Sequence, residues 1–538
     1  MARPAEAPSG SFAPLRQTLF AVLWVATVIG NTGTFIRDVA SAWLVTDLSP
    51  SPAAVALVQA AATLPVFLLA IPAGVLADIL DRRKFLIGIQ LLLAGVSICL
   101  TLLSVAGLQS VASLVALTFA GGIGAALMGP TWQAVVPELV EKKELKSAVA
   151  LNSLGINIAR AVGPALGGSI VAGLGAAFAY GVDVVSYVFV IAALLWWRRP
   201  VVARDALAER FPGAFRAGLR YARASRELHV VLLRAFLFFA LASSVWALLP
   251  LVARQLLGGG AGFYGILLGA VGLGAIAGAV VMPKLRARLS TDGLLLTAAS
   301  VTAAVMAFLA FAPPRWAAVA ALLALGAAWI SALTTLNGVA QSILPNWVRG
   351  RSLAVYLTVF NGAMAAGSLA WGAVAEFIGV PLTLLAGAGA LALVGLVAHR
   401  VKLPQGEADL VPSGHWPEPL TAEPVEHDRG PVLVLIEYRI DPGDRAAFLA
   451  AITRLSAERR RDGAYAWGIF EDAADPSLML EWFQVESWAE HLRQHQRVSK
   501  ADADVQEEVR RLHRGPQPPV VRHLIASIRG ASTPASAS

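Results

Sequence analysis

The chain has 538 residues, of which 57% are hydrophobic and only 14% charged, with a mean hydropathy of +0.66. That balance lies well outside the soluble globular range and excludes an ordinary soluble enzyme over most of the length. The net charge of +8 follows the placement of basic residues between apolar runs, so no nucleic-acid partner is expected. One cysteine, Cys99, excludes a disulfide framework and a thiolate metal site.

Residues 1–16 are polar and Pro-rich, without the short apolar core of a secretory signal, and are expected to be an N-terminal tail. Twelve apolar runs follow. Gln17–Val45, Ala53–Ala77, Phe85–Ala106, Ser110–Val136, Leu145–Ala172 and Ala176–Trp197 form one group. Val230–Ala253, Gly262–Met282, Gly293–Ala312, Trp316–Leu344, Leu353–Phe377 and Pro381–Ala398 form a second. A hydrocarbon core takes about 20 apolar residues of helix to cross, and inside lipid such a run must satisfy its backbone internally. The lipid bilayer is therefore the solvent of residues 17–197 and 230–402.

Every second connection is basic: Arg82, Arg83 and Lys84; Lys142, Lys143 and Lys146; eight arginines from Arg198 to Arg226; Lys284, Arg286 and Arg288; Arg349 and Arg351; Arg400 and Lys402. The alternate connections hold only Arg254 and Arg315. The positive-inside rule puts the basic set, and both termini, in the cytoplasm of a bacterial plasma membrane.

The connection 198–229 divides the runs six and six, and the halves echo each other. Asn157, Gly163 and Gly168 recur at the same spacing as Asn361, Gly367 and Gly372, and Gln133 and Pro137 as Gln341 and Pro345. Duplicated six-helix halves around a central site are a transporter architecture.

Between the second and third runs stands Gly74-Val75-Leu76-Ala77-Asp78-Ile79-Leu80-Asp81-Arg82-Arg83-Lys84. It resembles the G-x-L-A-D-x-x-G-R-R/K signature of the major facilitator superfamily, with Asp81 in place of the second glycine. Gly163-Pro164-Ala165-Leu166-Gly167-Gly168 resembles the end of the fifth-span motif of that superfamily's antiporters, with Ala150 and Ala159 at its earlier small positions. Over the whole chain the resemblance is closest to the branch of enterobactin-type siderophore exporters and transmembrane secretion effectors. The wording that carries it is Val136-Pro137-Glu138-Leu139-Val140, Asn157-Ile158-Ala159-Arg160 and His415-Trp416-Pro417-Glu418-Pro419. The resemblance implies an alternating-access exporter, with Gly74, Asp78, Arg82 and Arg83 as a gating motif and Asn157, Gly163, Pro164, Gly167 and Gly168 as the fifth-span motif. Physically, Gly74 permits close packing, and Asp78 can pair with Arg82 and face the start of the eleventh helix near Arg349–Arg351.

Ionisable groups inside spans point to function. Those singled out are Arg37 and Asp38, Arg160, and Asp183, with Glu376 nearer an end. Either an Asp takes up a proton each cycle, Asp183 before Asp38, or Arg37–Asp38 and Arg160–Asp183 are static pairs. A phosphate-binding G-x-x-x-x-G-K-[S/T] loop is absent, which leaves secondary transport. Asn31, Trp132, Gln133, Trp246, Asn337 and Gln341 are candidate cavity residues for a bulky, amphipathic small-molecule substrate. Protons are the expected coupling partner, and no cofactor or metal is expected.

Residues 403–431 contain six prolines and read as an extended linker. From 432 the pattern becomes strand (Val432–Ile440), helix (Pro442–Arg461), hairpin (Ala464–Glu471, Ser477–Val485), helix (Trp488–Arg514) and strand (Val520–Ala526), with a tail at 529–538. β-α-β-β-α-β is the ferredoxin-like order. Residues 432–528 resemble the dimeric α+β barrel of antibiotic-biosynthesis monooxygenases, most closely at Ser487-Trp488-Ala489-Glu490-His491-Leu492. Trp467, Trp482, His491, His495 and His513 are its candidate pocket, although regulation or homodimerisation outweighs catalysis. The fold class expected is thus an all-α polytopic membrane protein, twelve transmembrane helices in two six-helix repeats, plus a small soluble α+β domain. An exporter of siderophores or hydrophobic drug-like molecules leads, with an importer, or a transporter fused to a cofactor-free monooxygenase, as alternatives.

Overall fold

Long apolar runs with internally bonded backbones give long helices, and a computed structural model of the chain shows them. It describes residues 12–198, 211–345, 347–404, 416, 419, 421, 423–427 and 429–527. The chain divides into two compact units. The first comprises Met1–Asp205, Leu232–Gly338 and Ala354–Leu403, the second Ala206–Val231, Val339–Leu353 and Pro404–Ser538.

In chain order the helices are α1 Thr18–Leu48, α2 Pro52–Ile79, α3 Arg82–Val105, α4 Val111–Val135, α5 Leu145–Leu174, α6 Ala176–Trp196, α7 Phe211–Ala224, α8 Arg226–Leu251, α9 Ala261–Arg286, α10 Thr291–Ala310, α11 Arg315–Ser342 and α12 Arg349–Ala398. Among the described residues eleven of these, all but α7, are long and apolar enough to cross a membrane. Helix α12 runs for 50 residues but breaks at Gly379, whose φ of 77° and ψ of 164° only glycine adopts freely.

In the first six helices, one core lies at the end carrying the basic connections. Phe20, Leu23, Leu86, Trp132, Val135, Leu151, Leu194 and Trp197 pack together there. Arg83 fastens α3 to α6 by donating to the carbonyls of Leu194 and Leu195, both at 2.8 Å. Asp81, the departure from the signature glycine, is the N-cap of α3 and accepts from Lys84 N at 2.9 Å. Replacing it with alanine should cost about 0.5–2 kcal/mol, as lost N-caps do. Hydrogen exchange of the Arg83–Phe85 amides should then accelerate while α1 is unchanged, and equal protection in the variant refutes the cap.

The second unit contains a small four-stranded antiparallel sheet: β1 Val432–Arg439, β2 Ala466–Glu471, β3 Leu478–Val485 and β4 Val520–Ile525, in the order β2-β3-β1-β4. Helices α13 Arg445–Asp462, α14 Trp488–Arg497 and α15 Lys500–Arg511 complete it. The single helix expected over Trp488–Arg514 is therefore two, parted at Val498, whose extended ψ of 120° ends α14. Period-2 burial along β1 and β3 supplies the core, where Val432, Val434, Ile436, Phe483 and Val485 meet Phe448, Ile452 and Leu455 of α13.

The same unit holds α7, inside a stretch read from sequence as a plain connection. Arg220 of α7 pairs with Glu486 at 3.2 Å and Glu490 at 3.3 Å. Tyr221 lies edge-on to Trp347, and Arg497 sits 4.2 Å from the Trp347 ring centroid. The sheet domain thus grips α7 and the turn before α12. Burial alone would raise the Glu490 carboxyl, but Arg497, Arg493 and Arg220 together hold it below the usual range.

Candidate functional site

The intramembrane charges gather around Arg37. Gly33, one turn earlier on α1, lets that helix close on α6, since a Cβ there would lie 2.7 Å from Asp183 Oδ1. Arg37 consequently reaches two carboxylates, Asp38 Oδ1 at 3.0 Å and Asp183 Oδ2 at 3.6 Å. Its Nη1 also donates to Tyr187 OH at 3.1 Å, and Gly121 of α4 lies against the guanidinium. Asp183 is fully buried and accepts from Ser97 Oγ at 2.6 Å, whereas the Asp38 side chain is 51% exposed. Two acids share one cation, so a proton on Asp183 leaves a neutral Arg37–Asp38 pair.

The expected Arg160–Asp183 pair is not formed. Close packing of α1 on α6 gives Asp183 to Arg37, and Arg160 is half-buried with no hydrogen bond or ion pair among the described residues. Arg82 donates to Glu138 Oε1 at 2.6 Å and to the Ala134 carbonyl at 3.1 Å. The Asp78 side chain lies outside the described residues. A Cβ on Gly74 would meet nothing within 4 Å among the described residues, so the close packing expected there is not formed.

The fifth-span motif lies partly on a seam between helices of the two halves. Gly168 of α5 meets Gly265 of α9 backbone to backbone, so that a Cβ on Gly168 would fall 2.6 Å from Gly265 Cα and 2.7 Å from Ala261 O. Gly272 faces Ala161 Cα in the same way. Gly163 and Gly167 instead admit Phe35 and Ile36 of α1, while Pro164 is buried and Asn157 half-buried. Arg254 pairs with Asp47, Trp43 stacks on Tyr264 at 6.0 Å, and Ser51 donates to Glu376 at 2.7 Å. These contacts close the end opposite the basic connections. Toward the basic end, a Cβ on Gly338, as on Gly74, would meet nothing within 4 Å among the described residues.

The six cavity candidates are spread out. Trp132 is buried in the core of the first six helices and donates to Asn152 Oδ1 at 2.7 Å. Asn31 and Asn337 are half-buried, while Gln133 and Gln341 are exposed. Trp246 joins an aromatic group with Trp329, 5.0 Å away, and its buried indole N–H has no partner among the described residues. Sequence reading missed Arg234, which lies within the run Val230–Ala253. It pairs with Asp292 at 3.3 Å and donates to the carbonyls of Ala398 and Val401, tying α8 and α10 to the end of α12.

In the sheet domain, His491 and His495 do line one cleft of about 660 Å³, together with Trp416, Arg459, Phe483 and His523. The other three expected members lie elsewhere. Trp467 donates to the buried Glu481 at 3.0 Å, Trp482 stacks with Phe470 at 6.3 Å, and His513 accepts from Arg439 N at 2.9 Å. His523 was the missed residue, since strand β4 brings it to α14 from far along the chain. Burial, and the facing rings of His495 and His523, push His491 down to about 3; burial also lowers His523.

Eleven apolar helices of spanning length among the described residues make a polytopic membrane protein, and solved transporter structures share its fold. The bacterial homolog to the human lysosomal transporter Spinster, inward-facing and unoccupied, superposes with a TM-score of 0.55 at 15% identity over 72% of this chain and 97% of its own. The nucleoside transporter NupG gives 0.59 at 10% identity over 71% and 99%, and a POT family transporter bound to 5-aminolevulinic acid 0.59 at 12% over 74% and 98%. At such identities these show the fold alone. The transmembrane secretion effector profile matches residues 9–531, and the chain belongs to that family of major facilitator transporters. The staphyloferrin A transporter of Staphylococcus aureus (strain NCTC 8325 / PS 47) is 25% identical over 255 residues, 47% of this chain and 64% of that protein. The match thus spans less than two thirds of that relative.

Proposed function

We propose that the protein is a proton-coupled exporter of a small organic molecule, of the siderophore or hydrophobic drug-like class, working by alternating access in a bacterial inner membrane. The observation that carries the coupling is one guanidinium, Arg37, shared between the exposed Asp38 and the buried Asp183. A carboxylate held so far from water persists only when paired. Moving Arg37 or the substrate would change whether Asp183 holds a proton. The siderophore reading is supported by the staphyloferrin A transporter's name, and export by the likeness of Gly163–Gly168 to the antiporter motif.

Helix α12, at about 1.5 Å per residue, is more than twice the thickness of a bilayer core. Its break at Gly379 supports two crossings, hence twelve in all, with both termini cytoplasmic. The contacts closing the end opposite the basic connections support an inward-facing state. The sheet order β2-β3-β1-β4 supports a ferredoxin-like domain that regulates or dimerises the transporter rather than an enzyme.

Inverted membrane vesicles offered a panel of siderophores and apolar dyes test this reading. Uptake into the lumen that rises at least several-fold with an inward-acidic pH gradient, and collapses with a protonophore, is expected. Uptake indifferent to the gradient rejects proton antiport.

A further inference from the structure

The three histidines of the cleft come from distant parts of the chain, two from α14 and one from β4. His491 and His495, one helical turn apart, face each other with Nε2 atoms 3.2 Å apart. Their ring planes are nearly perpendicular, and His523 lies 4.7 Å from the His491 ring centroid. Each of the three offers a ring nitrogen, all within 4.8 Å of one another. Two imidazole nitrogens on one tetrahedral ion, each bonded at about 2.0–2.1 Å, stand about 3.3–3.4 Å apart, close to the observed separation. To reach that tetrahedral spacing the widest pair, at up to 4.8 Å, must close by about 1.4 Å. His495 and His523 are half-buried on the cleft wall, while His491 is held at 1% exposure.

We propose that His491, His495 and His523 bind one divalent transition-metal ion of the Zn²⁺ class, with a fourth position open to the cleft for an oxygen-donor anion. Imidazole donors without thiolates or carboxylates select this class over Ca²⁺ and Mg²⁺. Three protein ligands are the number that leaves a position for an exogenous group. The cleft supplies that group's surroundings. Arg459 is 3% exposed and lines the wall; its Nε holds Glu481 at 3.2 Å, but its Nη2 is buried with no partner among the described residues. A buried N–H of a charged group without an acceptor is costly, and a ligand oxygen would satisfy it. Arg510 and Arg522 add positive charge to the same wall, and Val434, Ile436 and Phe483 give it an apolar floor.

Full-length protein without a polyhistidine tag, stripped with chelator in detergent, provides the test. Zn²⁺ should return at about one equivalent per chain by elemental analysis. Co²⁺ should give the intense visible bands of a tetrahedral nitrogen site. His523→Ala and His491→Ala should each lower bound metal at least tenfold, whereas His513→Ala, altered outside the cluster, should keep the full equivalent. Because His491 is buried, His523→Ala decides the matter if His491→Ala elutes as aggregate. Acetohydroxamate, a bidentate oxygen donor, should shift the Co²⁺ bands, and less so in Arg459→Met. Wild-type protein that retains no Zn²⁺, or a His523→Ala variant that keeps it all, reduces the cluster to a ring-to-ring hydrogen bond. Co²⁺ bands unmoved by saturating acetohydroxamate overturn the open position.

Discussion

Asp183→Asn should abolish uphill, gradient-driven transport while downhill exchange of substrate stays measurable. The asparagine keeps the size of the side chain and can still accept from Ser97, so the contact between α3 and α6 survives. What it removes is the second carboxylate of the Arg37 cluster and with it the proton. Arg37 then keeps Asp38 as its only acidic partner in the cluster and the site no longer changes charge. Breaking a buried pair by deleting one partner usually destabilises by about 3–5 kcal/mol, but here Arg37 retains Asp38 and Tyr187, so the loss should be smaller. Asp38→Asn separates the two carboxylates. Asp38 is half-exposed, and its loss should slow transport without uncoupling it. Uphill transport in Asp183→Asn with an unchanged dependence on the pH gradient would make the cluster structural.

Much of this was legible in the sequence where the physics is local. The twelve bilayer-length runs appear as eleven long helices among the described residues, the last two runs sharing α12 with a break at Gly379, because lipid offers the backbone no alternative to a helix. The period-2 pattern of Val432–Ile440 announced β1 in the same way. What failed depended on which helices touch. The sequence offered Arg160 as the partner of Asp183, whereas the close approach of α1 to α6 at Gly33 brings Arg37 to that acid. Arg234 sits inside a predicted span and could have been flagged by the same rule as Arg37. His523 could not, because nothing in its neighbourhood along the chain refers to α14. The amphipathic α7 was hidden by its arginines, although Phe211, Phe215, Leu219 and Ala222 recur at helical spacing.

Gly168→Val should shift the transporter away from the state closed at the end opposite the basic connections, and transport should fall with it. The atoms a Cβ would meet are Gly265 Cα and the Ala261 carbonyl, which are backbone and cannot rotate aside. Helices α5 and α9 must therefore separate. Small residues are what let lipid-embedded helices approach this closely. Overpacking of this kind costs about 1–3 kcal/mol, which shifts a two-state balance by about 5- to 150-fold. The core of the first six helices lies at the basic end, away from this seam, so membrane insertion should be normal. Spin labels at Leu174→Cys and Gly260→Cys, in a Cys99→Ser background, flank the seam and should report a longer distance in the variant. Gly173→Val is the control, since a Cβ there would meet nothing within 4 Å among the described residues, and it should transport like the parent. If Gly168→Val keeps the parent's label distance and rate, the α5–α9 seam yields without consequence and closure at that end rests on Arg254–Asp47 and Glu376–Ser51 instead.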